Sequence, residues 1–179
     1  MKQYIKISFD IDFKLLTRNQ ILLCIFVLNN DDDRKQSFYS EVYGTNRARI
    51  KSDWEALNHL YGDVVQTYRD LSIKRNHVPR YYMIKIETFD KIKEMMPTKT
   101  ELLTLLWLLK KYQNTYHREQ NYILNNVLKE TFGNNWRIYK PRFIDAMNKL
   151  KQIEYEDDTI LLENYEIKDK KLYIKLQEK

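Results

Sequence analysis

The chain has 179 residues, 43% hydrophobic and 13% aromatic, with 31 Lys and Arg against 25 Asp and Glu, a net charge of +6 and a pI near 9.2. That much apolar material excludes a disordered tail, and the length allows one domain or two small ones of about 90 residues, near the lower size for a self-sufficient core. The modest positive balance permits a polyanionic partner without requiring one, and a single cysteine, Cys24, set in an apolar run excludes a disulfide framework and a thiol metal cluster and fits a reducing, cytoplasmic setting.

The elements follow in chain order. Residues 6–10 read as a strand. Thr17 with Gln20 forms a capping box, Leu16 and Ile21 occupy the staple positions, and a helix runs to about Leu28 with apolar residues on nearly every side. This apolar run is too short to cross a bilayer, acidic residues follow it closely, and no signal peptide precedes it, so a soluble protein without membrane partners is expected. A second helix ends at Gly44, since glycine takes the left-handed conformation at low cost where a helix stops. A third presents Ile50, Trp54, Leu57 and Tyr61 at helical spacing. Two strand-like runs follow, residues 64–75 and 80–89, the second predicted to serve both a first hairpin and the entry to a second domain. Thr98 with Glu101 repeats the capping box ahead of a leucine-rich helix to about Tyr112. Another helix ends at Gly133. Pro141 suits the first position of the next, whose inward stripe is Phe143, Met147 and Leu150. Runs 159–168 and 171–177 close the chain as a hairpin with a tight charged turn, "KDKK".

These elements repeat. "EVYGTN" at residues 41–46 answers "ETFGNN" at 130–135, and two of only three glycines stand at the matching places. Beyond them Trp54 pairs with Phe143, Ala56 with Ala146, Leu57 with Met147, Asn58 with Asn148 and Leu60 with Leu150. "TRNQILL" (17–23) likewise answers "TKTELLT" (98–104). Three helices with a glycine turn between the second and third, then a hairpin, is the winged-helix arrangement. The expected fold is therefore α+β and mainly helical: tandem winged-helix domains (helix-turn-helix plus β-hairpin wing) related by internal duplication. The expected domains are residues 1–88 and 89–179, with the boundary near 86–93.

Such a domain meets DNA through the outer side of its third helix and its wing. In the first copy these surfaces carry Asn46, Arg47, Arg49 and Ser52, with Lys74, Arg75 and Arg80 at the wing. In the second they carry Asn134, Asn135, Arg137, Lys140, Arg142, Asn148 and Lys149, with Lys168, Lys170 and Lys171 at the wing. Arg, Lys and Asn pair with base edges, and the cations also neutralise phosphate. Ordinary solvated surface, or a protein-docking face, is the competing reading. Asp145 on the same side accepts from cytosine, holds Arg142, or marks a protein contact; all three stay open. Enzyme chemistry is not expected. His59, His77 and His117 are widely separated, and no phosphate-cradling glycine loop is available. The acidic groups Asp10 with Asp12, Asp31–Asp33, and Glu154 with Glu156–Asp158 read as strand and loop surface rather than as a Mg²⁺ site. No cofactor, metal or small-molecule substrate is implied. Tyr81, Tyr82, Tyr112, Tyr116 and Tyr122 could stack on unpaired bases, but core packing is the better use for most.

"LLTRNQILLCIFVL" (15–28), and still more "YKPRFIDAMNKLKQIEYEDDTILLENYEIKDKKLYIKL" (139–176), resemble the plasmid replication initiators built from two winged helices. The chain is shorter than is usual for that family, and its 98–112 helix lacks the family's Arg- and Tyr-containing pattern. The resemblance implies a non-enzymatic protein that binds direct repeats of double-stranded DNA at a replication origin. It further implies a homodimer formed through the N-terminal domain and host replication proteins as partners. A transcriptional regulator of a phage or plasmid, and a winged-helix protein-interaction scaffold, are the alternatives.

Overall fold

A computed structural model describes residues 4–8, 11–29, 46–61, 65–67, 72–73, 81–114, 117–155 and 159–177. The chain is α+β and mainly helical, and it divides into two compact units, Met1–Met83 and Ile84–Lys179.

In the first unit β1 (Tyr4–Ser8) leads through a short 3-10 turn (Phe13–Leu15) to α1 (Arg18–Asn29). The capping box ahead of α1 is formed. Thr17 N–H donates to Gln20 Oε1 at 3.0 Å, and Gln20 N–H donates to Thr17 Oγ1 at 3.3 Å. Leu16 and Ile21, at the staple positions, are both fully buried, as are Leu22 to Ile25. α2 (Arg47–Tyr61) turns Ile50, Trp54 and Leu57 inward. The second helix expected before it, with Gly44 at its end, lies outside the described residues.

The first hairpin differs from expectation. β2 (Val65–Thr67) pairs with β3 (Ser72–Ile73), both drawn from the single run 64–75, while β4 (Tyr81–Lys85) pairs with β1. Nor does the strand continue to Phe89. Helix α3 (Ile86–Met95) begins at Ile86, and the boundary between the units falls inside β4. The alternation Ile84–Lys85–Ile86–Glu87 reads as strand over four residues. Over a longer window Phe89 and Met96 are buried, whereas Glu87, Asp90, Lys91 and Glu94 are exposed, a helical period. Glu87 in the first turn also complements the helix dipole.

The second unit is built around α4 (Lys99–Asn114), in which every residue from Glu101 to Leu109 is buried. Its capping box is formed too: Thr98 N–H donates to Glu101 Oε2 at 2.9 Å, and Glu101 N–H to Thr98 Oγ1 at 3.3 Å. Two buried threonines on helices satisfy their hydroxyls locally. Thr104 donates to Thr100 O at 2.8 Å and Thr131 to Val127 O at 2.7 Å. Strand β5 (Glu119–Ile123), which the sequence reading did not anticipate, precedes α5 (Leu124–Phe132). A 3-10 segment (Gly133–Tyr139) then leads into α6 (Lys140–Leu150). β6 (Glu154–Tyr155) pairs with β7 (Thr159–Ile160), and β8 (Leu162–Lys168) and β9 (Lys171–Leu176) form the closing hairpin. The run 159–168 is thus split at Leu161, and the hairpin is part of a three-stranded antiparallel sheet of order β5-β9-β8. Leu172, Ile174 and Leu176 alternate inward along β9.

Phe143 of α6 is fully buried, with Trp107 of α4 edge-on at 6.3 Å and Phe132 of α5 edge-on at 6.2 Å, so one ring ties three helices together. Ala146, Met147 and Leu150 continue that buried stripe. Gly133 ends α5 as expected, at φ +76° and ψ −149°, a region essentially reserved for glycine. A Cβ at this position would have open space, with nothing within 4 Å. Gly133→Ala should therefore cost about 1–3 kcal/mol through backbone strain alone. Chemical denaturation of the variant measures this.

Candidate functional site

The first turn of α6 and the segment before it carry the densest group of exposed polar side chains anticipated from the sequence. α6 buries Phe143, Ala146, Met147 and Leu150, so its opposite side holds Pro141, Arg142, Asp145 and Asn148, all exposed. Ahead of it Asn134, Asn135, Arg137 and Ile138 are exposed, as is Lys140. Asn135 departs from helical geometry (φ −91°, ψ 22°), which kinks the segment there. Trp136, half-buried, carries two cations over its ring, Arg137 at 5.3 Å and Lys129 at 5.9 Å. The helix start adds the positive end of the backbone dipole. The Arg142–Asp145 ion pair weighed from the sequence is not formed between these two described residues.

Two of the anticipated contacts on α6 are engaged within the protein. Asn148 Oδ1 accepts the Tyr165 hydroxyl of β8 at 2.7 Å, which joins the sheet to the outer side of α6. The charge of Asp145 is felt there as well. Burial, and then that carboxylate, raise the Tyr165 phenol above its usual value. Lys149 is bonded to Glu101 of the capping box. Burial pushes the Glu101 carboxyl up, but the Lys149 bond and the Thr98 amide and hydroxyl outweigh it, and the group titrates below its ordinary value. The polar surface of this unit's third-helix region not engaged in these bonds is the N-terminal half of α6 and its approach.

At the hairpin tip Lys168 and Lys171 face each other across the turn, and Lys168, Lys170 and Lys171 are all exposed. Asp169 (φ 51°) and Lys170 (φ 62°) are both left-handed, the type I′ pattern that normally selects Asn-Gly. The turn does not project freely. Lys170 O accepts the Leu124 N–H at 3.0 Å, satisfying a backbone donor at the start of α5, where no side chain caps the helix.

The first unit is more neutral on its corresponding helix. Asn46 caps α2, its Oδ1 accepting the Arg49 N–H at 2.8 Å. Arg49 lies with Nε 3.4 Å from Asp53 Oδ2, and Lys51 pairs with Glu55 at 3.9 Å. Asp53 is buried and also accepts from Gln20 at 3.1 Å. Ser52 is exposed, and Arg47 opens the helix. Lys74, Arg75 and Arg80 lie outside the described residues.

Two of the five candidate tyrosines, Tyr112 and Tyr122, pack within the protein. Tyr112 is buried under Arg118 at 4.9 Å, and Tyr122 is edge-on to Trp107 at 5.6 Å, with Lys111 over its ring at 5.1 Å. Burial pushes the Cys24 thiol up to about 12, so it carries no thiolate at neutral pH. Among the described residues no helix is long and apolar enough to cross a membrane. Asp10, Asp31–Asp33, Glu156–Asp158, His77 and Tyr116 lie outside the described residues. The sequence reading missed Ile138 and Trp136; the signal available was their place between the glycine turn and a proline-led helix.

No family model, no curated protein and no solved structure matches the chain.

A folded pKa depressed at Glu101 contributes stability above the ordinary value of 4.5 and loses it as pH falls through the folded value. Glu101→Gln should therefore be less stable than the parent at pH 7, with the gap narrowing as pH drops below 4.5. Thermal melts across that range measure the gap.

Proposed function

We propose that the chain is a sequence-specific, non-enzymatic protein that binds double-stranded DNA through two tandem winged-helix domains. The observation that supports this most is the second unit's order of elements and what they expose. After α3 come a helix, a strand, a helix ending in a positive-φ glycine and a further helix, then the short β6–β7 pair and a hairpin, and α6 turns its polar side to solvent. Arg137, Lys140 and Arg142 cluster at the end of α6 that carries the positive dipole, and duplex phosphates and base edges are complementary to that end. Asn134 and Asn135 stand beside them as donors and acceptors for base or phosphate.

The turn lysines support the same reading. A left-handed lysine costs roughly 1 kcal/mol against glycine, yet Lys170 occupies that position and completes a group of three cations. Strain held where charge is concentrated fits a binding role better than a purely structural turn. In the first domain Arg49 and Ser52 are the exposed contacts. Arg49 is exposed but Asp53 is buried, so the guanidinium would have to meet a phosphate while keeping its bond to Asp53. The resemblance to plasmid replication initiators extends the proposal to origin repeats, with a replication role ranked ahead of gene regulation.

Binding to duplex fragments of the parent replicon, followed across salt concentrations, tests the reading. The logarithm of affinity should fall linearly with the logarithm of salt, with a slope of roughly −0.9 per phosphate contacted. A flat response would remove DNA binding in favour of protein docking. Charge reversal at Arg49 and Arg142 together should abolish tight binding. Lys170→Gly should separate two effects. It should stabilise the second unit by about 1 kcal/mol and make the salt slope shallower by roughly one contact.

A further inference from the structure

Ile138 is the most exposed large hydrophobic side chain among the described residues, at 69%. It stands where apolar exposure is least expected. Arg137 precedes it, Lys140 follows two residues later, and Asn134, Asn135 and Arg142 surround the same helix start. Helical backbone at Tyr139 (φ −92°, ψ −8°) and Lys140 (φ −53°, ψ −48°) carries the chain into α6. Positions 138, 141, 142 and 145 then follow the spacing of three and four that shares one helix side, and all four are exposed. Ile138 therefore heads the solvent stripe of α6.

A partner for this stripe must offer one small apolar group within an anionic surround. A protein interface also sets an apolar residue within a polar rim, but here Arg137, Lys140 and Arg142 outnumber the one carboxylate of the stripe, Asp145, and this balance favours an anionic partner. The major groove of duplex DNA supplies the required pairing. Thymine presents its C5-methyl there, flanked by phosphates, and it is the only base to do so. The N-terminal residues of a recognition helix are also those that reach base edges.

We infer that Ile138 is a specificity-determining residue that reads a thymine methyl in the major groove, an inference that rests on the DNA-binding reading above. The glycine-aligned repeat places Arg49 opposite Ile138, so the two domains would prefer different bases at the equivalent position, with arginine suited to guanine.

The test uses the full chain and a duplex that it selects from a random pool. Thymines in that duplex are replaced by deoxyuridine one at a time, which removes only the methyl. For the parent protein one replacement should weaken binding about 4-fold, the equivalent of about 0.8 kcal/mol for one buried methyl. Against Ile138→Ala the same replacement should have no effect. Because Ile138 is exposed, the variant should melt with the parent. An Ile138→Ala variant that loses affinity equally for thymine and uracil duplexes overturns the inference and leaves DNA binding standing, as does a parent indifferent to every methyl. Selection that enriches no duplex overturns the DNA-binding reading itself. A variant that binds DNA as the parent does but loses self-association assigns Ile138 to a protein interface instead.

Discussion

The burial of Phe143 is the constraint from which the second unit's surface follows. Its ring sits between Trp107 and Phe132 with no exposure, so α6 can rotate very little about its own axis. A helix whose inward stripe is fixed has its outward stripe fixed as well. Pro141, Arg142 and Asp145 face solvent because Phe143, Ala146, Met147 and Leu150 cannot. The 3-10 segment and Gly133 then determine how the chain approaches that helix. The stacked pair Phe132 and Tyr139, 5.0 Å apart, closes the segment on itself.

The capping boxes do more than start helices. In each unit the last residue of the box reaches into the helix that carries the candidate contacts. Gln20 donates to Asp53 of α2, and Glu101 holds Lys149 of α6. The two links use different chemistry, an amide to a buried carboxylate in one and an ion pair in the other, and they lie at different positions along their helices. Each ties the head of a buried apolar helix to a neighbour by a directional contact, which apolar packing alone does not supply. One consequence is that some polar groups on α2 and α6 serve the fold. Asp53 and Lys149 are committed inward, and Asn148 is committed to Tyr165, which leaves the first half of α6 as the uncommitted polar surface of that helix.

A left-handed, cation-bearing hairpin turn sealed to the start of α5 is a related compromise. The Lys170 carbonyl satisfies the Leu124 amide, so the turn is anchored by its backbone while its side chains remain in solvent. An anchored backbone with exposed charged side chains would limit the entropy lost in the proposed binding, because only the side chains would remain to be ordered. The first unit, with Arg49 and Lys51 each beside a carboxylate, offers a more neutral helix. The second unit therefore carries more of the proposed electrostatic attraction.

Local signals in the sequence determined the capping boxes at Thr17 and Thr98, the glycine stop at Gly133, the inward stripes of α2 and α6, and the closing hairpin around its Lys168–Lys171 turn. Each depends on neighbours within a few residues: a hydroxyl three positions from a Gln or Glu, a residue without Cβ, a repeat of 3.6 or 2. Apart from the closing hairpin, which strands pair was not legible, because several runs of similar pattern compete as partners. β1 takes β4, β5 joins β9, and the run from 64 to 75 folds on itself, and no local pattern distinguishes those partners. The start of α3 alternates like a strand over four residues, and its helical period emerges only over the longer window that includes Phe89 and Glu94. The candidate site divided in the same way. The sequence named Arg137, Lys140, Arg142 and the three hairpin lysines by residue type and position, whereas only the packed structure committed Asn148 to Tyr165 and Lys149 to Glu101 and left Ile138 uncovered, since a side chain's freedom depends on what the rest of the fold brings against it.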